Sequence, residues 1–328
     1  MGRSGIKDGK AWREILKELK NPLAHGACSL SAAEFLHSRG FSKAAETVYL
    51  ELLARDPNCM DSINGLAWIA QLSGRTEEAN HWQRQAALVE VRRLKLKPED
   101  EADAVAFRLA AAGHEQAPAK VPSGYVTALF DNYAENFDTH LIDVLKYRGP
   151  EEVAALVQRL RTTDCPLWDV LDAGCGTGLL GPLLRPWAAR LDGVDLSPEM
   201  LEKAKQRAVY DNLDVGELCA ELTARPMQYD LIALADVLVY FGDLQPMFTA
   251  LATAIRPGGY LVFTVERSFD PEYQLLSCRR YSHHEDYVLN ASRKAGWSLV
   301  THYNVTCRHE QNRPVDALLF AFQFSTAQ

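Results

Sequence analysis

The sequence predicts an α/β protein in which a doubly wound, mostly parallel sheet follows an all-α domain. The first observation is an apolar strand, Val170–Ala173, that runs into a glycine-rich turn and a helical pattern. The second is another apolar strand, 191–195, which ends in an acidic residue and completes a βαβ unit. The third is an internal repeat of helical segments before about residue 95. A chain of 328 residues with 47% apolar content suits two such domains.

The repeat lies in the first predicted domain, residues 1–112. The segments 40–45 and 74–79 are offset by 34 positions, and each stands between two helical patterns. This period resembles tetratricopeptide (TPR) helix pairs. Two pairs are too few for a free-standing solenoid, so a further helix over 103–112 is expected to pack on them. The helices would form a peptide-binding groove, or a cap that stabilises or dimerises the protein.

Residues 113–122 are proline-rich and lack apolar periodicity, so they are predicted to be the linker between the domains. The second domain then covers 123–328. It begins with a helix, because aromatic and apolar residues recur at helical spacing from Tyr125 to Phe137. Another amphipathic helix is predicted to begin at Gly149, before the first strand.

The glycine-rich turn is suited to a nucleoside. Gly174, Gly176 and Gly178 allow positive φ and a close approach of backbone N–H groups to a ligand. Asp195 ends the second strand, where acidic residues accept the ribose hydroxyls. A dinucleotide site has its third glycine one residue later, so NAD is the weaker alternative.

Four segments together resemble class I S-adenosylmethionine (SAM)-dependent methyltransferases, in chain order: 172–178 (DAGCGTG), 193–201 (GVDLSPEML), 229–236 and 255–263. The resemblance implies a Rossmann-like sheet of seven strands, one of them antiparallel near an edge. It implies SAM as cofactor and S-adenosylhomocysteine as product. Asp172 and Gly174 would lie by the methionine part, and Glu217 and Leu218 by the adenine. The full set of implied cofactor residues is Asp172, Gly174, Cys175, Gly176, Gly178, Asp195, Leu196, Glu217, Leu218 and Asp236.

Residues 126–138 (VTALFDNYAENFD) resemble the lid helix of the trans-aconitate-methyltransferase-like branch, a group that tends to carry TPR helices in front. The resemblance implies that a lid over 123–140 covers SAM, with Tyr133 in the substrate pocket. An ordinary helix packed on the core remains the alternative.

A second polar group follows the fifth strand. Arg280, Tyr281 and His283 lie together, and Arg308 precedes the last strand. Guanidinium groups bind carboxylates in a bidentate manner, so Arg280, Tyr281 and Arg308 are candidate substrate ligands beside Tyr133. For an acceptor that must lose a proton, Tyr240 and His283 are the candidate bases. The Asn/Asp-Pro-Pro-Tyr/Phe motif of amino-group methylases is absent after the fourth strand, which disfavours nucleobase and glutamine acceptors.

Composition narrows the class of partner. The formal net charge is −8, so nucleic acid is not expected to bind. No stretch of eighteen apolar residues occurs, and Met1–Lys10 is polar, so neither a membrane span nor a signal peptide is expected. Seven cysteines lack metal-ligand spacing, so no metal is expected and the thiols are predicted to be reduced, in the cytoplasm.

The predicted function is SAM-dependent methyl transfer by in-line displacement to a small anionic or zwitterionic metabolite, with an oxygen or sulfur acceptor favoured. Two alternatives stay open. A protein methyltransferase would recruit its target through the TPR-like helices, and a scaffold would bind SAM without catalysis.

Overall fold

The computed structural model describes residues 26–161, 166–310 and 313–325. The predictions made for Met1–Lys10 and for Cys165 therefore lie outside the described residues. The chain divides into two compact units, Met1–Arg93 and Leu94–Gln328. In the described ranges, no helix is both long and apolar enough to cross a lipid bilayer.

From residue 26 onward, where the structure describes it, the first unit is built of helices. They are α1 (Gly26–Ser38), α2 (Ser42–Arg55), α3 (Met60–Leu72) and α4 (Thr76–Arg93). The turns after α1 and α3 are equivalent, because Gly40 and Gly74 both adopt positive φ, +80° and +70°, at corresponding places of the 34-residue repeat. Side chains of α1, α2 and α3 share one hydrophobic cluster, and Gly65 leaves room in it for the ring of Tyr49.

The second unit is built on one sheet, which has nine strands in the described part of the chain. They are β1 (Trp168–Ala173), β2 (Ala188–Asp195), β3 (Asn212–Val215), β4 (Tyr229–Leu234), β5 (Ile255–Arg267), β6 (Tyr273–Leu275), β7 (Tyr281–His283), β8 (Trp297–Glu310) and β9 (Arg313–Phe324). The first five are parallel in the order β3-β2-β1-β4-β5. The strand order reverses between β1 and β4, which makes the sheet doubly wound.

In the residues that the structure describes, the sheet has two strands more than the seven predicted, because β5 is long enough to pair with β7 beyond its contact with β9. Residues 260–266 of β5 pair antiparallel with β9, which pairs in turn with β8. The end of β5 continues past this contact and pairs with β7 at Ser282 and His283, and β7 pairs antiparallel with β6. The antiparallel strand predicted near the edge corresponds to β9, and β6 is a second strand of that direction. The extra pair is three residues per strand, too short for sequence periodicity to indicate.

Helices cover both faces of the sheet, with two hydrophobic clusters beneath them. The helices are α5 (Pro98–Ala111), α6 (Ser123–Tyr133), α7 (Phe137–Thr139), α8 (Gly149–Leu160), α9 (Gly181–Leu184), α10 (Pro198–Gln206), α11 (Leu218–Thr223), α12 (Gln245–Ala254) and α13 (Glu285–Lys294). A π-helical turn, His140–Val144, follows α7, and a 3₁₀ turn, Leu238–Tyr240, follows β4. Because both faces are packed, β1 and β4 are buried along nearly their whole length.

The division between the units falls after Arg93, earlier than the predicted boundary at 113–122. Helix α5 belongs to the second unit, where the ring of Phe107 packs edge-on against Tyr125 at 5.2 Å between centroids. The end of the predicted linker is fixed by backbone pairing: Gly242 N–H donates to Ala119 O at 2.8 Å, and Val121 N–H donates to Tyr240 O at 2.9 Å. Backbone pairing of this kind leaves no apolar pattern, so the sequence indicated only a linker.

Candidate active site

A cavity of about 330 Å³ opens at the carboxyl ends of β1, β2 and β4. This is the edge at which doubly wound sheets bind their ligands. Nine of the ten predicted cofactor residues line it, namely Asp172, Gly174, Cys175, Gly176, Asp195, Leu196, Glu217, Leu218 and Asp236. These residues lie at the ends of four strands, β1 to β4, and the fold brings them around one space.

The glycine turn after β1 is held against β2. Gly174 adopts φ +73° and donates its N–H to Val194 O at 2.8 Å. Gly176, at φ +54°, donates its N–H to Asp195 Oδ2 at 2.8 Å, and a Cβ there would meet nothing within 4 Å. Gly178 does not line the cavity, which corrects its assignment to the cofactor. A Cβ on Gly178 would lie 2.9 Å from the Tyr210 ring, so this glycine allows close packing instead.

Asp195 is fixed at the end of β2. Its Oδ2 accepts from Gly176, and its Oδ1 accepts from the N–H of Ser197 at 2.9 Å. Burial raises the pKa of this carboxyl, while the backbone N–H donors oppose that rise. Each carboxylate oxygen keeps a free lone pair, and a pair of neighbouring hydroxyls is a ligand that two such oxygens can accept together.

Asp172 lies at the end of β1 and is 2% exposed. The Tyr210 hydroxyl donates to its Oδ2 at 2.7 Å. Burial raises the pKa of Asp172 to about 7, with the Tyr210 bond opposing and the charge of Asp195 adding to the rise. A cationic ligand in the cavity would favour the ionised form of this carboxyl, so the position suits an ammonium group.

Glu217 caps the N-terminus of α11. Its Oε2 accepts from the N–H of Ala220 at 3.1 Å, and its Oε1 accepts from Lys120 Nζ at 3.2 Å. Lys120 also lines the cavity, and in the chain it lies between α5 and α6. Sequence reasoning missed Lys120, because it assigned residues 113–122 to a linker and linkers carry no ligands.

Helix α6 and the turn after it bond to the loops around the glycine turn. Asp131 accepts from Ser197 Oγ at 2.5 Å, and Asp138 accepts from Thr177 Oγ1 and from Arg207 Nη2 at 2.5 Å each. Several α6 residues line the cavity, Tyr133 among them. The segment 123–140 therefore forms one wall of the site.

Part of the cavity wall is rich in aromatic groups. Phe130 packs edge-on against Tyr240 at 5.6 Å, and Tyr133 against Phe137 at 5.2 Å between centroids. The Tyr133 hydroxyl contacts Nδ1 of His140. His140 and Tyr147 also line the cavity and were missed from the sequence, since they follow the helical pattern that predicted α6 and lie in or after the π-helical turn.

Arg308 does not reach the cavity, which corrects its prediction as a substrate ligand. Its side chain is 1% exposed and is surrounded by carboxylates. It donates to Asp236 at 2.9 and 3.1 Å, to Glu266 at 2.6 Å and to Glu310 at 3.0 Å. Arg308 thus holds the carboxylate of Asp236, a residue at φ +60° that lines the cavity.

Arg280 lines the cavity, as predicted for a substrate ligand. Its Nη1 donates to Glu310 at 2.6 Å, so one edge of the guanidinium is anchored. It lies close enough to Tyr240 to hydrogen-bond the phenol oxygen, and the positive charge offsets part of the pKa rise that burial causes in Tyr240. A guanidinium has five N–H donors, so the anchored group keeps donors for a ligand.

His283 and Tyr281 lie in β7 and do not line the cavity. His283 is fully buried, and its Nε2 donates to Phe241 O at 2.8 Å and lies 3.2 Å from Gly242 O. Burial lowers the pKa of His283 to about 4, so the ring is neutral near pH 7. The Tyr281 hydroxyl donates to Pro118 O. The predicted roles of both residues are corrected, because this segment forms a buried strand and not an open loop.

Three comparisons bear on this site. The sequence profile of a family described as a methyltransferase domain matches residues 145–311. A ubiquinone biosynthesis O-methyltransferase from Coxiella burnetii is 36% identical over 104 residues, which are 30% of this chain and 44% of that protein. Nodulation protein S from Rhizobium tropici is 30% identical over 127 residues, 36% of this chain and 48% of that protein. The chain thus spans less than half the length of these curated relatives.

Among solved structures, a 1,6-didemethyltoxoflavin-N1-methyltransferase from Burkholderia thailandensis is similar with a TM-score of 0.51 and 16% identity. The alignment covers 64% of this chain and 93% of that one. At this identity the likeness concerns the fold alone.

Proposed function

The chain belongs to the methyltransferase-domain family, whose members use SAM, and on this premise we propose that it transfers the SAM methyl group to a small acid with an apolar body. The proposal is supported by one observation above all. The glycine turn and Asp195 line the same cavity as Arg280 and a group of aromatic side chains. SAM is already activated, so alignment and exclusion of water are what this chain supplies.

The cofactor end would be occupied as follows. Asp195 would accept the ribose hydroxyls, and the N–H groups of the glycine turn and Asp172 would hold the methionine part. Glu217 would turn from Lys120 to the adenine amine, with Leu218 beside the ring. Each of these groups faces the same cavity, which supports the set as a whole.

The acceptor end supports an anionic substrate. Arg280 would bind the carboxylate through the donors that Glu310 leaves free. Phe130, Phe137 and Leu141 would contact the apolar body of the molecule. The methyl then moves in line from the sulfonium to the acceptor, and S-adenosylhomocysteine leaves.

On the resemblance of residues 126–138, we propose that the chain belongs to the trans-aconitate-methyltransferase-like branch, with α1–α4 as TPR-like helices.

A second function is favoured by one observation in the first unit. Trp68 and Leu72, one turn apart on α3, are 55% and 68% exposed. Such a pair suits contact with a peptide or with a second copy of the chain, and a peptide contact would favour a protein as the methyl acceptor.

The test uses methyl-labelled SAM and a fractionated cell extract. Label in a small acidic metabolite supports the proposal, whereas label in protein supports recruitment through the helical unit. If SAM binds but no label is transferred, the result would favour a scaffold that binds SAM without catalysis. A parallel titration with SAM and with NADH separates a methyltransferase site from a dehydrogenase site.

The Arg280→Met variant tests the acceptor end. It should raise KM for the labelled acid about tenfold to a hundredfold, as the loss of a charge-assisted bidentate contact implies, and leave the Kd for SAM unchanged. Arg279→Met is the matched control, because Arg279 is the adjacent arginine and is exposed outside the cavity. Equal effects of the two substitutions would contradict the assignment.

A further inference from the structure

An acceptor hydroxyl must lose its proton when it takes the methyl group, and this inference rests on the proposed function above. Four carboxylates of the cavity are already engaged, and one of them is Glu217, which accepts from Lys120 and from the N–H of Ala220. Asp172 accepts from Tyr210, Asp195 from two backbone N–H groups, and Asp236 from Arg308. His283, one of the two bases predicted from the sequence, is buried in β7 and does not line the cavity, whereas the other, Tyr240, does.

Among the other titratable side chains of the cavity, Tyr133 and His140 contact each other, whereas Tyr240 lies beside Arg280. Tyr133 is the last residue of α6, and His140 begins the π-helical turn after α7, so the short connection folds one back onto the other. The Tyr133 hydroxyl contacts His140 Nδ1, and the rings pack edge-on at 5.5 Å between centroids. Both side chains line the cavity, and each is partly exposed.

We propose that Tyr133 is the catalytic residue that receives the acceptor hydroxyl and that His140 takes the proton through it. With its proton on Nε2, His140 accepts the Tyr133 hydroxyl at Nδ1, which leaves the phenol oxygen free to accept from the substrate O–H. As the acceptor oxygen bonds the methyl carbon, the carbon–sulfur bond breaks and its electrons stay on sulfur. The substrate proton passes to the Tyr133 oxygen, and the Tyr133 proton passes to His140.

The surroundings favour a relay over a phenolate base. Burial raises the pKa of the Tyr133 phenol, and the charge of Arg280 offsets part of that rise. A phenol that resists ionisation has to pass its proton on as it receives another, and His140 is the group in contact with it. Because His140 is only half-buried, the imidazolium can release the proton to solvent.

The pair also refines the substrate class. Arg280 and Tyr133 line the same end of the cavity, so a carboxylate on the first would direct a hydroxyl of the same molecule to the second. Phe137 packs edge-on against both Tyr133 and Phe130, and these rings suit a flat apolar body between the two groups. The substrate class is therefore an aromatic or conjugated hydroxy acid.

The test compares oxygen and sulfur acceptors on one skeleton. The probes are 3-hydroxybenzoate and 3-mercaptobenzoate with the full chain and SAM at pH 8, where the aryl thiol has already lost its proton and needs no base. Tyr133→Phe and His140→Gln should each lower kcat for the hydroxyl probe about 100-fold, within the usual range for general-base catalysis, with KM nearly unchanged. Turnover of the thiol probe should change less than about threefold. Imidazole in the buffer should restore part of the hydroxyl activity of His140→Ala.

The other possible outcomes of these assays would overturn the inference or assign the role to another residue. Equal losses with both probes would assign the pair to structure and overturn the inference, while the proposed function would stand. A larger hydroxyl-selective loss in Tyr240→Phe than in Tyr133→Phe would move the role to Tyr240. If the wild type transfers to neither probe, the variants are assayed on the labelled acid from the extract, and a methylated carboxylate or sulfur there overturns the inference. Absence of any labelled small molecule overturns the proposed function itself.

Discussion

Replacing Arg308 with methionine should lower the free energy of unfolding by about 3–5 kcal/mol, the cost of removing one partner from a buried ion pair. Arg308 is 1% exposed, and its three nitrogens donate to Asp236, Glu266 and Glu310 at 2.6–3.1 Å. Methionine fills similar space, so the loss would come mainly from carboxylates left without a counter-charge and not from an empty cavity.

Arg256→Met is the matched control. Arg256 also bridges two carboxylates, Asp169 and Asp230, at 2.8 Å each, but its side chain is 38% exposed. Solvent screens such a pair, so this substitution should cost at most about 1 kcal/mol. Comparing the two substitutions separates the effect of burial on stability from the effect of the number of ion pairs.

The assay is urea unfolding of each variant, with the midpoint compared at constant slope. The loss in Arg308→Met should shrink between pH 8 and pH 5. Burial already raises the pKa of Glu266, and Arg308 opposes that rise. Without Arg308, the pKa of Glu266 in the folded protein lies further above its value in the unfolded chain. The stability lost in Arg308→Met is therefore larger at high pH and becomes smaller as Glu266 is protonated. A loss under about 1 kcal/mol, or one independent of pH, would refute the reasoning.

Two further predictions concern the cofactor end. SAM affinity should fall by about an order of magnitude from pH 7.5 to pH 6, because protons compete for Asp172, whose pKa burial raises to about 7. Calorimetric titration should show this pH dependence of the affinity in the wild type and its loss in Asp172→Asn. Gly178→Ala should destabilise the protein by at least about 1–2 kcal/mol, since its Cβ would meet Tyr210 at positive φ. Gly176→Ala carries the same strain of positive φ but meets open space, so it should destabilise the protein less than Gly178→Ala does, while it weakens SAM binding. Thermal unfolding and titration of both variants would show the reverse order if the glycine roles are misassigned.

Much of the cavity lining around the glycine turn was predictable, because it depends on local sequence. A glycine needed for positive φ, or an acidic residue at a strand end, is tied to its place by backbone geometry within one βαβ unit. Gly174, Gly176 and Asp195 are therefore readable from the sequence. Gly178 shares their pattern but serves packing against Tyr210, a neighbour that the motif itself does not contain.

The acceptor end was predicted less well, because its residues are selected by long-range pairing. Arg280 and Arg308 have the same side chain and similar surroundings in the sequence, yet one faces the cavity and the other is buried among carboxylates. His283 was expected in an open loop but pairs with β5 in a strand of three residues. Nothing local distinguishes these outcomes.

The sequence by itself determined the doubly wound α/β class, the helical repeat in front and the glycine turn with its acidic partner. Each of these follows from periodicity or from backbone conformation over a few residues. Only the tertiary structure decided which charged side chains reach the cavity, that Ala119–Val121 pairs with the loop after β4, and that Tyr133 meets His140. Those choices depend on burial and on partners distant in sequence, where the cost of an unpaired charge or backbone group decides the arrangement.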